Sequence, residues 1–166
     1  MNRHFKGAYT LSLLLLLTIN APAQDIMNVS LPLPQLRVTS SFGKRVHPVT
    51  GYPDLHKGVD LAARCDPVLS IMNGMVSATG FNPILGNYIR IAHGEFQSIY
   101  GHLSYILVMP GEQVTAGEVV GITGATGRVT GEHLHFSIRF RDKYLNPLHF
   151  LRSLLLSEQP PPSINY

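Results

Sequence analysis

The segment His133-Leu134-His135-Phe136-Ser137-Ile138-Arg139-Phe140 alternates polar and apolar residues without a break. Successive side chains of a strand point to opposite faces. Leu134, Phe136, Ile138 and Phe140 therefore form an apolar face, while His133, His135, Ser137 and Arg139 share the other. Other short β-type runs are divided by glycines: Val38 to Phe42, Val59 to Ala62, Pro67 to Ile71, Gly74 to Thr79, Asn87 to His93, Gln97 to His102 and Glu118 to Thr123. That spacing predicts a mainly β fold with an antiparallel sheet core. Gly94-Glu95 falls between two runs, where a glycine first in a two-residue connection suits a type II′ hairpin.

The sequence also echoes itself. Pro67-Val68-Leu69-Ser70-Ile71 followed by Gly74-Met75-Val76 is answered by Gly111-Glu112-Gln113-Val114 followed by Gly117-Glu118-Val119-Val120. This spacing resembles the hairpins of biotinyl and lipoyl carrier domains and implies a duplicated core of sandwiched hairpins. Such carriers need a lysine at a hairpin tip. Neither repeat offers one, which argues against a carrier function. Near the end, Asn146-Pro147 reads as an N-cap and first helical position, opening a short C-terminal helix packed through Leu148, Leu151, Leu154 and Leu155.

The 166 residues suffice for one domain with a real core. Arg3 and Lys6, an apolar stretch from Leu11 to Ile19 and Ala21-Pro22-Ala23 make residues 1–23 read as a secretory signal peptide. The apolar run is shorter than the roughly 20 residues of a spanning helix, so no membrane anchor is expected after cleavage. Residues 24–36, with Leu31-Pro32-Leu33-Pro34, read as an extended arm, 37–157 as the domain and 158–166 as a Pro-rich tail. Loss of Arg3 and Lys6 takes the formal charge from +3 to +1. No basic stripe remains, so nucleic acid is not the expected partner. Cys65 is the single cysteine, which excludes an internal disulfide, and it reads as a small semi-buried side chain.

Eight histidines in a chain with little charge are the compositional oddity. His4 lies in the leader, His47 in a loop, His93 at a strand end as a structural residue, and His149 on the terminal helix. His56, His102, His133 and His135 remain. His133 and His135 lie on one strand face with Cα atoms about 6.7 Å apart, close enough to converge. His56 and Asp60, in His56-Lys57-Gly58-Val59-Asp60, would stand about 13 Å apart if fully extended. A bend at Gly58 must bring them together. Two neutral imidazoles and a carboxylate suit Zn²⁺ and leave a fourth position for water, whose pKa zinc lowers to about 7. The spacing alone leaves open which of His133 and His135 is the ligand.

Four ordered blocks carry a more specific likeness: Ser41-Phe42-Gly43-Lys44-Arg45-Val46-His47-Pro48-Val49-Thr50-Gly51, His56-Lys57-Gly58-Val59-Asp60, Tyr100-Gly101-His102-Leu103-Ser104, and Gly127 to Phe136 with Glu132-His133-Leu134-His135. From about Ser40 to Pro147 the chain resembles the lysostaphin-type zinc metallopeptidases, which cut peptides of bacterial cell walls. The resemblance implies His56, Asp60 and His135 as zinc ligands, with His102 and His133 as a non-ligand catalytic pair. It implies a zinc metalloendopeptidase acting on peptidoglycan stem peptides in the periplasm, of D,D specificity in preference to glycyl-glycine. The alternative is a non-catalytic regulator that docks on a wall hydrolase or another envelope protein. A groove blocked by residues 25–36 would favour that alternative.

Overall fold

The computed structural model describes residues 28–46 and 51–157. The expected leader, His47 and the Pro-rich tail lie outside the described residues. The chain forms β1 (Val38–Ser40), β2 (Gly43–Val46), β3 (Pro53–His56), β4 (Val59–Ala62), β5 (Pro67–Leu69), β6 (Gly74–Asn82) and β7 (Gly86–His93). It continues through β8 (Phe96–Leu103), β9 (Tyr105–Ile106), β10 (Gln113–Val114), β11 (Val119–Ile122), β12 (His133–Phe140), β13 (Lys143–Leu145) and the helix α1 (Pro147–Ser157).

An eight-stranded antiparallel sheet has the order β1-β4-β12-β8-β7-β6-β10, with β13 added to β12. A three-stranded sheet, β5-β11-β9, and a two-stranded sheet, β2-β3, complete the architecture. The two echoed segments exchange partners. β5 pairs with β11 and β6 with β10, so each half of the first repeat bonds to a half of the second. The sandwiched, duplicated hairpins expected from the glycine spacing take this interlocked form.

Alternation in β12 sets the core. Leu134, Phe136 and Ile138 are fully buried beside Val59 and Leu61 of β4, with Ile89 and Ile91 of β7 and Tyr100 of β8 in the same cluster. The Tyr100 ring packs on Phe136, and its hydroxyl oxygen accepts a hydrogen bond from the Ile71 N–H at 3.1 Å. At the hairpin between β7 and β8, His93 pairs with Phe96 across Gly94-Glu95, and Gly94 has φ +67° while Glu95 does not enter the left-handed region. This is the type II′ pattern. Asn146 Oδ1 accepts the Leu148 N–H at 3.0 Å, capping α1 as the Asn-Pro pair predicts.

Three expectations need correction. Cys65 is exposed, not semi-buried, because it occupies the tip of a turn with φ +54° that turns its side chain to solvent. Leu155 is exposed; Leu151 is the helix's buried contact, with Leu148 and Leu154 packed at its margin. The run expected from Val38 to Phe42 stops at Ser40, where the chain leaves the large sheet for the two-stranded one. Residues 28–36 also join the domain closely. Val29 bridges to Met72, the Ser30 N–H donates to the Ile71 carbonyl, the Leu69 N–H donates to the Pro32 carbonyl, and Leu33 is buried in the core.

Candidate metal centre

The large sheet and the two-stranded sheet meet at His56 and Asp60. His56 ends β3, Asp60 lies in β4, and the chain turns between them at Gly58. A Cβ at Gly58 would lie 2.5 Å from the Phe136 carbonyl oxygen and 2.8 Å from His135 Cε1, so only glycine lets this turn lie against β12. β12 pairs His135 directly opposite Asp60. His56 Nε2, Asp60 Oδ1 and His135 Nδ1 thus form a small triangle with sides of 3.1, 2.9 and 3.2 Å. Donor atoms around a tetrahedral zinc, with bonds near 2.1 Å, stand about 3.4 Å apart. The three atoms fit that set to within about 0.5 Å, each pair standing slightly closer than a bound ion would hold it.

The hydrogen bonds behind the triangle fix its chemistry. His56 Nδ1 stands 2.8 Å from the Ser41 carbonyl oxygen, which can only accept, so Nδ1 carries the proton and neutral His56 presents a bare lone pair at Nε2. That lone pair faces a carboxylate oxygen and another ring nitrogen, an arrangement that a cation shared by the three would satisfy. His135 Nε2 is held by Ser137 Oγ at 3.0 Å. Burial alone would raise the Asp60 pKa, but its readiness to bind a protonated imidazole at His135 or His56 holds it well below the carboxylate range, so Asp60 is an anion. Burial pushes the His135 pKa down despite Asp60 beside it. With its facing ring nitrogens unprotonated, the set offers two imidazole lone pairs and one anion, the donor chemistry of a divalent metal site.

Arg45 stands behind the carboxylate, its Nη1 3.6 Å from Asp60 Oδ2 and hydrogen-bonded to Ser40 Oγ. Sequence reasoning quoted Arg45 only as part of a block. A usable signal was the two-residue period of Gly43-Lys44-Arg45-Val46, in which Gly43 and Arg45 are the sheltered positions.

His102 and His133 border the triangle. Their rings lie 4.7 Å apart, and His102 is 5.7 Å from the His135 ring. His133 Nε2 is 3.6 Å from Asp60 Oδ1. Each Nδ1 lies 2.8 Å from a backbone carbonyl oxygen, that of Thr126 for His102 and Gly131 for His133. In its neutral form each ring therefore keeps an unprotonated Nε2. Burial lowers the His102 pKa to about 4, outweighing the opposing pull of the Thr126 carbonyl, while repulsion from His133 and His135 adds to it and Asp60 works against it.

His102 reaches the site by an irregularity. Gly101 is the residue opposite His135, so plain alternation would aim His102 at the other face. The β7–β8 register slips beside it, and His102 adopts φ +64°, with its N–H bonded to the Leu85 carbonyl oxygen at 2.6 Å. Such a bulge re-aims a side chain at a cost of about 1–3 kcal/mol.

The five sequence-predicted residues thus share one cleft of about 710 Å³, also lined by Arg45, Leu55, Ile84, Arg128 and Tyr144. No residue of 28–36 lines it. Glu132 is turned from the centre and accepts the Cys65 N–H. His93 is structural, bonded to the Asn73 carbonyl and Ser98 Oγ.

Residues 54–147, more than half of the chain, match the model of peptidase family M23. The chain belongs to that family. Among M23 relatives, it is 41% identical over 115 residues to the peptidoglycan DD-endopeptidase ShyA of Vibrio cholerae, covering 68% of this chain and 27% of ShyA. The crystal structure of a zinc containing peptidase from Vibrio cholerae matches with a TM-score of 0.64 at 38% identity, over 73% of this chain and 38% of that one. The catalytic domain of lysostaphin from Staphylococcus simulans matches with a TM-score of 0.65 at 28% identity, over 70% of this chain and 92% of the domain. The chain spans little more than a quarter of the length of ShyA.

Proposed function

We propose that this M23 chain is a zinc metalloendopeptidase that hydrolyses peptide cross-links of bacterial peptidoglycan, in the D,D class. His56, Asp60 and His135 would hold the ion. When bound, zinc supplies Lewis acidity, polarising the scissile carbonyl and acidifying water. The protein supplies proton traffic. With an unprotonated Nε2 on both His102 and His133, one imidazole takes the proton lost as water adds to the carbonyl carbon. The imidazolium then returns it to the amine nitrogen as the C–N bond breaks. Arg45 keeps Asp60 Oδ1 turned toward His56 and His135 by engaging Oδ2.

The observation that carries the reading is the compact His56, Asp60 and His135 triangle, with two further imidazoles open to the same cleft. A complete set and a cleft free of residues 28–36 favour catalysis over a regulatory docking role. The leader-like residues 1–23 support a periplasmic location. The test is digestion of defined cross-linked muropeptides, with the products weighed by mass spectrometry. Release of monomers that a zinc chelator abolishes and His102→Ala prevents is the expected result. Equal products from wild type and His102→Ala would refute the assignment.

A further inference from the structure

A second cavity, of about 1010 Å³, opens beside the metal cleft and meets it at Thr130 and His133, which line both. One wall is Leu33-Pro34-Gln35, from the segment anchored on β5 and Met72, and the facing wall is Ala62-Ala63-Arg64. Its position relative to the chemistry follows from strand register. The Ala62 N–H donates to the Arg37 carbonyl oxygen at 2.8 Å, and Ala62 is the partner of His133 across the β4–β12 ladder. With strands about 4.8 Å apart, the Arg37 backbone stands about 10 Å from that of His133, on the same face of the sheet.

The charges in this cavity are unequal in their engagements. Its two carboxylates are both bound to the turn at Arg64-Cys65-Asp66. Asp66 accepts the Arg64 N–H at 2.9 Å, and Glu132 accepts the Cys65 N–H. Its two guanidinium groups, on Arg37 and Arg64, are exposed and make no ion pair among the described residues. Beyond the metal triangle the other lobe offers Leu55 and Ile84, both with exposed apolar side chains, beside the exposed cations Lys57 and Arg128. The first lobe thus presents two guanidinium groups beside carboxylates already engaged by backbone, and the second sets its cations beside an apolar wall.

We propose that Arg37 and Arg64 form a carboxylate-binding subsite on the leaving-amine side of the scissile bond. The subsite rests on the endopeptidase reading above and refines its substrate class. A D,D cross-link joins a D-alanine carbonyl to an amine on a D-configured carbon that carries its own carboxylate. That carboxylate stays free and lies next to the bond to be cut. Within a glycine chain the corresponding carbon bears an amide, which presents no charge to the two arginines. Guanidinium groups pair with carboxylates through charge-assisted hydrogen bonds, often bidentate.

The experiment compares a D,D-cross-linked muropeptide dimer, the same dimer with that carboxylate amidated, and pentaglycine. The substrates are given to wild type and to the Arg37→Gln/Arg64→Gln double variant. In parallel, calorimetry measures binding of the amine-side product peptide, as acid and as amide, to the zinc-loaded proteins. Wild type is expected to favour the acid at least tenfold in kcat/KM and in affinity, with pentaglycine uncut. The double variant should lose that preference while its rate on the amide stays unchanged. Equal handling of acid and amide by wild type, or an equal loss on both in the variant, overturns the subsite. If wild type cuts no substrate the endopeptidase reading fails, and the acid-to-amide affinity ratio still decides the subsite.

Discussion

Gly58→Ala is the substitution that the geometry penalises most directly. Gly58 lies outside the left-handed region, so alanine meets no backbone objection. The penalty is steric. The new Cβ would sit 2.5 Å from the Phe136 carbonyl oxygen, 2.6 Å from Ser137 Oγ and 2.8 Å from His135 Cε1. Two of those atoms belong to a paired strand and a metal-site ring, so the turn must retreat by about 0.9 Å to restore ordinary contact. Overpacking of this kind costs about 1–3 kcal/mol, and the reduced freedom of the unfolded chain returns about 0.4–1 kcal/mol. A net loss of about 1–2 kcal/mol is expected. The same retreat moves His56 and Asp60 away from His135 by more than the roughly 0.5 Å that a metal site tolerates. Zinc affinity should fall about 10–100-fold. Urea unfolding of the chelated protein measures the first effect, and competition with a zinc indicator measures the second. A Gly58→Ala variant with wild-type stability and zinc affinity would refute the close-approach argument.

Two further outcomes test separate parts of the structure. Arg45→Gln should leave the fold intact and weaken zinc about tenfold, because Asp60 Oδ2 loses its cationic partner; unchanged affinity by indicator competition would remove Arg45 from the site. Burial lowers the His93 pKa below its unfolded value of 6.5, against the pull of the Asn73 carbonyl. Below pH 6.5 the unfolded chain therefore binds the proton more readily, and the His93 contribution, complete above 6.5, is lost as the pH falls toward the folded pKa. Wild type should lose stability more steeply than His93→Gln between pH 7.5 and 5; parallel curves would contradict that.

What the sequence revealed was local, and what it concealed was pairing. The β12 alternation, the Gly94 turn and the Asn146 cap are each decided by neighbouring residues, and each has the expected form. β2 and β3 escaped notice because their residues are largely exposed and the strands support only each other. Cys65 and Leu155 were misplaced because composition says nothing of which side of a turn or helix meets solvent. Leu33 gave no sign of its burial, since a Leu-Pro repeat reads as linker until β5 and Met72 are placed beside it. In the site, the H-x-H face followed from strand geometry. The arrival of His102 depended on a register slip, and the role of Arg45 on a contact between different sheets.

The most direct measurement is zinc content after refilling, paired with muropeptide cleavage, for wild type, Asp60→Ala and His102→Ala. Wild type should hold about one zinc per chain and cleave, as three protein ligands and an open position require. Asp60→Ala should lose both zinc and cleavage, whereas His102→Ala should keep its zinc and lose cleavage. A refilled wild-type chain that holds no zinc, or a His102→Ala chain that cleaves as well as wild type, would contradict a catalytic zinc centre at His56, Asp60 and His135.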